Sequence, residues 1–309
     1  MTWAAWRLQR TETLIVLGII VLLAALLVPT GINMANAYHQ DGLSACLAAN
    51  SSPSCGAATG FFEQRFQSLW NLVNFFTLVP GLIGVAVAAP FLFDLEHGTY
   101  RLSWTQSITR GRWLLGKLGL AIVTALVASG ALILLFTWWR TPEANLNGRL
   151  DSGVYDTTGT VVIGYTLFAL GLALALGALW RRSAASLTVA FIAYFASRIF
   201  VDYKVRDHLV APLRATWKGI QQPAALYNAH VLNLTGTVHG HQVISGNSGF
   251  LGGHVAVQVP VGSASTIFHA TYIPASDFWP LQLTETALFT GVALILIGFA
   301  AWWTRERVA

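Results

Sequence analysis

Gly111-Arg-Trp-Leu-Leu-Gly116-Lys117 has the G-x-x-x-x-G-K spacing of a phosphate-binding loop. That loop needs small residues so that backbone amides can cradle phosphate, and a Ser or Thr after the lysine to reach a metal ion. Here Leu118 follows, Trp113, Leu114 and Leu115 fill the interior, and no strand-like run precedes it. The match is one of spacing alone, so the chain is expected to carry no nucleotide-hydrolysing machinery and to bind no cofactor of its own. His239-Gly-His241 would place two imidazoles on one face of a strand, with His230, His254 and His269 in the same segment. No cysteine or clustered carboxylate accompanies them, so the segment reads as a solvated polar loop and no metal is assigned. H-E-x-x-H and G-x-S-x-G are both missing, and no carboxylate pair lies in the middle of an apolar run, so a catalytic role is not expected. Three further groups have functional potential. Glu285, near one end of an apolar run, is either an ionisable pathway group or a wetted acid at a helix start. Asn71 and Asn74 share a helical face and either line a pathway or join helices. Cys46 and Cys55 are spaced to close a small disulfide loop if they face an oxidising compartment, and otherwise are two unpaired thiols.

The elements that position these residues follow from composition. Of 309 residues, 55% are hydrophobic and only 10% charged, where an ordinary globular domain has about 25% charged residues. A soluble protein of this size would need a charged surface that this chain lacks, so a lipid bilayer is its expected solvent. The 12 Trp and 8 Tyr residues suit membrane–water interfaces. The net charge of +5 sits in short clusters beside apolar runs, with no basic stripe interleaved with aromatics, which excludes nucleic acid as a partner.

Six apolar runs read as spans: Thr13 to about Met34, Gln67 to Phe93 with a bend at Pro80, Leu118 to Trp139, Thr157 to Trp180, Ser183 to about Val201, and Leu281 to Thr304. Met1–Glu12 is either an amphipathic surface helix or a basic flank. Ala35-Asn36-Ala37 resembles a signal-peptide cleavage site, but the run before it is too long and holds Pro29 and Gly31, so it is read as a retained span. Gly171/Ala175 and Ala173/Gly177 put small residues one turn apart, the pattern of close helix contact in lipid. Arg198 is expected to pair with Asp202 one turn on. Ala37–Arg65 and Arg140–Asp156 read as polar loops. Residues 204–280 form the long non-apolar segment: a charged helical start over Lys204–Lys218, then V-H-G-H-Q-V-I-S-G and G-H-V-A-V-Q-V-P-V, whose alternation predicts one or two β-hairpins.

Basic residues fix the expected orientation. With the N-terminus inside, Arg7, Arg10, Arg101, Arg110, Arg112, Lys117, Arg181, Arg182, Arg305 and Arg307 are cytoplasmic, and the short outer loops hold Arg65, Arg140 and Arg149. Both termini are then cytoplasmic, and the cysteines and the β-rich segment are extracellular. The expected fold class is an all-α membrane protein with six transmembrane helices and a small β-containing extracellular domain. Residues 1–203 hold spans 1–5, 204–280 the extracellular domain, and 281–309 span 6 with a cytoplasmic tail.

Between spans 2 and 3 lies a mixed-charge stretch too long for a turn: Asp94, Glu96, Arg101, Arg110 and Arg112, with hydrogen-bonding Ser103, Thr105, Gln106, Ser107 and Thr109, the apolar Trp104, and Gly98 as a break. It reads as a short helix lying across the cytoplasmic membrane surface. By its chemistry it is either a partner-docking element or a solvated amphipathic connector. The run A-P-F-L-F-D-L-E-H-G-T-Y-R-L-S-W-T-Q-S-I-T-R-G-R-W-L-L-G-K-L resembles the corresponding segment of bacterial type-2 ABC transporter permeases. Those most similar have an acidic-Gly-Thr-x-Arg pattern, then Trp-Thr-Gln-Ser and Arg-x-Arg-Trp. The N-terminal W-A-A-W-R-L-Q-R-T-E, the T-W-W-R at the end of span 3 and F-W-P-L-Q-L-T-E-T at the start of span 6 extend the likeness more weakly. The resemblance implies the membrane subunit of an ABC exporter in the bacterial plasma membrane. A separate ATP-binding subunit, carrying ATP and Mg²⁺, would dock on the inner face, and a second permease subunit, identical or related, would complete a dimer. By the same resemblance Asp94, Glu96, Gly98, Thr99 and Arg101 belong to the region that couples to the ATPase, and Thr105, Gln106, Ser107, Arg110, Arg112 and Trp113 continue it. The spans suit an amphipathic or hydrophobic cargo such as a drug, lipid or peptide. The reading from a different class is a membrane sensor or assembly factor whose extracellular loop binds a ligand.

Overall fold

The structure, a computed structural model, describes residues 2–48, 53–99, 109–219, 223–238, 241–247 and 266–307. Among them are six helical segments long and apolar enough to cross a membrane. Helix α1 (Thr2–Gln40) runs unbroken through the N-terminal flank and the first apolar run. The expected polar loop after it is largely helical. Short α2 (Leu43–Ala48) and α3 (Pro53–Asn74) flank the Cys46–Cys55 disulfide, whose Cα atoms are 5.5 Å apart.

A 3₁₀ turn at Phe75–Leu78 separates α3 from α4 (Val79–His97), and Pro80 sits in the first turn of α4. The expected bend at Pro80 thus falls just ahead of it: the Thr77 carbonyl lies three residues before a residue with no N–H to donate. Helix α4 ends at Gly98, whose φ of +69° is the left-handed conformation that glycine adopts most readily.

Helix α5 (Arg110–Asn147) is capped by Thr109 and has 38 residues, or about 57 Å at 1.5 Å per residue. The expected loop over Arg140–Asp156 is therefore helix as far as Asn147, followed by α6 (Ser152–Thr157), with Asp151 as its N-cap.

Helix α7 (Val161–Trp180) is the axis of the molecule: 15 of its 20 residues are buried, the largest share among the six spans. Its 20 residues make about 30 Å of helix, the thickness of a hydrocarbon core. Its glycines explain how it is surrounded. A Cβ on Gly171 would lie 3.0 Å from the Ala293 carbonyl oxygen, and one on Gly177 would run into Leu92. From the α4 side, a Cβ on Gly84 would run into the Thr166 carbonyl oxygen. Close backbone approach of this kind replaces the hydrophobic drive that lipid cannot supply.

Helix α8 (Ser183–Phe200) passes through a π-helical turn, Val201–Val205, into α9 (Arg206–Leu209). The charged stretch expected to stay helical to Lys218 turns at Pro212 into strand β1 (Leu213–Lys218), because proline excludes the helical conformation for the residue before it. β1 joins β2 (His230–Val238), β3 (His241–Asn247) and β4 (Ile267–Ile273) in an antiparallel sheet of order β1-β4-β2-β3. Alternate residues Phe268, Ala270 and Tyr272 of β4 bury one face together with Leu226 and Leu234. β2 and β3 form a hairpin closing at Val238↔His241. The second predicted β run, residues 253–261, lies outside the described residues. Helix α10 (Phe278–Arg307) packs along α7 and closes the bundle.

Candidate functional site

The buried polar groups concentrate where the sheet-side ends of the spans meet. Arg206, on α9, is 6% exposed and is the hub. Its Nε donates to Glu285 Oε2 at 3.0 Å, its Nη2 donates to Asp156 Oδ1 at 2.6 Å and to Glu285 Oε1 at 3.1 Å, and its Nη1 donates to Asp202. Arg198, on α8, pairs with the other oxygen of Asp156 and donates to the Thr77 carbonyl at 3.0 Å. Tyr165 donates to Glu285 Oε1 at 2.6 Å, and Tyr155 donates to Glu285 Oε2 at 3.0 Å. The guanidinium of Arg198 lies 4.8 Å from the Tyr165 ring centroid and that of Arg206 lies 4.5 Å from the Tyr155 ring.

Local structure sets this geometry. The π turn carries Asp202 and separates Arg198 from Arg206, so the two guanidiniums reach Asp156 from different directions. The Arg198–Asp202 pair expected from the sequence does not form: Asp202 pairs with Arg206, and Arg198 crosses to Asp156 on α6. Gln282 of α10 accepts from the Val161 N–H at 2.9 Å and donates to the Tyr155 and Thr158 carbonyls, fixing the start of α7 against α10.

Burial by itself would raise the Asp156 carboxyl. The charges of Arg198 and then Arg206 more than offset this, and the group is held below the usual carboxylate range. Burial, then the Glu285 charge, push the Tyr155 phenol upward, so it remains a donor.

Glu285 is 0% exposed. Of the two roles expected for it, the wetted helix-start acid is excluded, since its oxygens are taken up by Arg206, Tyr155 and Tyr165. Asn74 accepts from Arg140 Nη2 at 2.8 Å, and Arg140, itself 0% exposed, also donates to Glu143 at 2.6 Å. Asn71 is exposed and hydrogen-bonds Gln67 one turn away. Asn71 and Asn74 do not touch Glu285; what connects the two regions is a cavity of about 460 Å³ lined by Asn71, Asn74, Asp156, Arg198 and Asp202. Sequence reasoning missed Asp156 and the buried Arg140–Glu143 pair, which it placed in a charged loop, and Arg206, which it placed in the charged helical start of the extracellular segment. The available signal was that acids and arginines recur at the same ends of successive spans.

The opposite end of the bundle holds the mixed-charge stretch. Asp94 pairs with Lys117 at 2.7 Å and accepts from Thr99 at 2.8 Å, tying α4 to α5. Glu96 accepts from the Ser183 N–H at 3.0 Å and from its hydroxyl, capping α8 from a neighbouring helix. Trp113 stacks on Phe91 with ring centroids 5.9 Å apart. Arg110 and Arg112 lie in the first turn of α5, and Gly98 stands at the end of α4. Arg101, Thr105, Gln106 and Ser107 lie outside the described residues, as does the surface helix expected around them. Residues 111–117 are helical with Lys117 buried against Asp94, so the G-x-x-x-x-G-K spacing builds no phosphate cradle. His239 and His254 are outside the described residues; His269 shares a hydrogen bond with Thr216. No group of three or more metal-ligating side chains occurs among the described residues.

Neither a curated protein nor a solved structure matches the chain. One protein family does, over residues 17–206, which runs from the first span through the tied ends of α4, α5 and α8 to the hub arginine. With its six candidate spans and this match over most of its length, the chain belongs to the ABC-2 membrane transporter related family.

Proposed function

We propose that the chain is the permease subunit of an ATP-driven exporter, moving an amphipathic or hydrophobic cargo out of the cytoplasm. A separate ATP-binding subunit docks on the stretch from Asp94 to Trp113 and carries ATP and Mg²⁺. Two permease subunits, identical or related, enclose the pathway, and this chain contributes no catalytic group. The stretch faces the cytoplasm together with both termini, and the sheet faces outside; the disulfide near the sheet side of the bundle supports that orientation, since such bonds persist in oxidising compartments.

The observation that carries the coupling role is the pair of ties at the root of the stretch. Asp94–Lys117 and Glu96–Ser183 join the end of α4 to α5 and α8, so a push delivered there moves three spans together. Replacing Glu96 by Gln removes the charge behind both bonds to Ser183, and should leave the partner bound while lowering cargo-stimulated ATP hydrolysis. The test is co-purification with the ATP-binding subunit followed by stimulated hydrolysis. Failure of any ATP-binding subunit to associate defeats the exporter reading and favours a sensor. Unchanged stimulation in Glu96→Gln defeats the coupling role of the tie.

A further inference from the structure

The cavity beside the charged hub has the features of a built ligand site. Its volume of about 460 Å³ falls within the range of small-molecule pockets, about 300–1,000 Å³. It lies between the 3₁₀ turn, α6 and the end of α8, and its lining is mixed: polar Asp202, Asn71 and Asn74 with apolar Phe75, Phe195 and Ile199. Phe75 and Phe195 are 70% and 41% exposed, so part of the apolar lining reaches the surface of the bundle.

The ion pairs around the cavity indicate the charge of the occupant. Within the hub the carboxylates of Asp156, Asp202 and Glu285 are paired with the guanidiniums of Arg198 and Arg206, three acids against two bases. Burying a net charge at the edge of a low-dielectric medium is costly unless a counter-charge completes it. Arg198 also lines the cavity, but its guanidinium is already held by Asp156 and the Thr77 carbonyl, which leaves Asp202 as the carboxylate available to a ligand there. The π turn that carries Asp202 is a helical irregularity of a kind frequent at functional sites.

We infer that this cavity binds a lipophilic organic cation, its charged head at Asp202 between Asn71 and Asn74 and its apolar body against Phe75, Phe195 and Ile199. The inference names a cargo class and so rests on the permease reading for the transport step; binding itself needs no partner.

The full chain in neutral maltoside micelles should bind tetraphenylphosphonium saturably, over empty micelles, in equilibrium dialysis. It should not bind tetraphenylborate, which has the same shape and the opposite charge. Asp202→Asn should weaken binding at least roughly tenfold, the scale of one charge-assisted contact. Because Asp202 also holds Arg206, the independent variant is Asn71→Lys. It places a cation at an exposed helix position on the cavity wall and should weaken binding comparably while leaving thermal unfolding unchanged. Added phosphatidylcholine that displaces the probe would make a lipid head group the natural source of the cation, and failure to displace it would make a soluble cation the source; either outcome upholds the site. Absence of saturable phosphonium binding, equal binding of both ions, or wild-type affinity in Asn71→Lys overturns it. Saturable phosphonium binding together with failure of any ATP-binding subunit to co-purify upholds the site and defeats the exporter reading, and ATPase coupling without phosphonium binding does the reverse.

Discussion

Arg206 connects three acids on three different elements, so its loss cannot be absorbed locally. Replacing it with Met would leave Asp156, Asp202 and Glu285 sharing only Arg198. Removing one partner of a buried ion pair costs about 3–5 kcal/mol, and that loss should appear as a lowered unfolding temperature in detergent. Tyr165→Phe removes one hydroxyl that donates to Glu285 and should cost about 1 kcal/mol. A variant that reverses this ranking would show that Tyr165, and not Arg206, organises the hub. The pH dependence stems from Asp156. Its folded-state pKa is depressed, so the stability it contributes is complete above the unfolded value of about 3.9 and is lost as pH falls through the lower folded value. Its contribution should be flat between about pH 7 and about pH 5. The deficit of Asp156→Asn relative to the unmodified chain should shrink only in stronger acid, as measured by thermal unfolding from about pH 7 down to below about pH 3.9. At this scale the sequence was partly legible. Glu285 stood out because an acid beside an apolar run is rare, whereas Asp156 looked like an ordinary loop charge and Arg206 like one of several charges on an extracellular helix. Nothing in their spacing indicated that α6 and α9 fold back against the spans.

At the scale of elements, α7 was the easiest to read and its neighbours' connections the hardest. The small residues of α7 announced close packing, and the structure uses Gly171 and Gly177 in that way, on two different helices. Gly84, on the facing helix, meets the backbone at Thr166, which cannot rotate away as a side chain can. Gly84→Ala should cost about 1–3 kcal/mol, the range for overpacking a filled interface. Gly119 lies on the open surface of α5, where an added Cβ would meet nothing within 4 Å; Gly119→Ala should be neutral or stabilising by up to about 1 kcal/mol. Thermal unfolding of the two variants side by side checks the contrast, and equal effects would mean that α4 and α7 are not in backbone contact. The predicted loops that became helix, 37–65 and 140–156, misled for one reason. Polar residues at helix ends look like loop by composition, but a helix beginning in an apolar span continues as long as its N–H groups find carbonyls: α5 runs on past Pro142 to the positive-φ Gly148, and α1 runs to Gln40, just before the positive-φ Gly42.

For the whole molecule, the expected orientation can be tested directly on a background with both cysteines replaced by Ser. Tyr227, 61% exposed beside the sheet, when changed to Cys should react with a membrane-impermeant maleimide in intact cells. Arg305→Cys at the opposite end should react only after permeabilisation; the reverse pattern would invert the orientation and with it the docking face. The disulfide closes a short loop, with a sequence separation of 9, so replacing both cysteines should cost about 3 kcal/mol on a chain-entropy argument, readable as a lower unfolding temperature. The sequence by itself determined the solvent, the number of spans, the small sheet between the fifth and sixth spans, and the mixed-charge stretch between the second and third. These follow from composition and local periodicity, which each segment carries on its own. Tertiary structure alone decided which acid meets which arginine, that Asp94 and Glu96 tie three spans together, and that Asn71, Asn74 and Asp202 line one cavity. Such pairings depend on which helix faces meet and at what height, a property set by the backbone approach at Gly84, Gly171 and Gly177 and by the turns at Phe75–Leu78 and Val201–Val205, and not by any one segment's sequence.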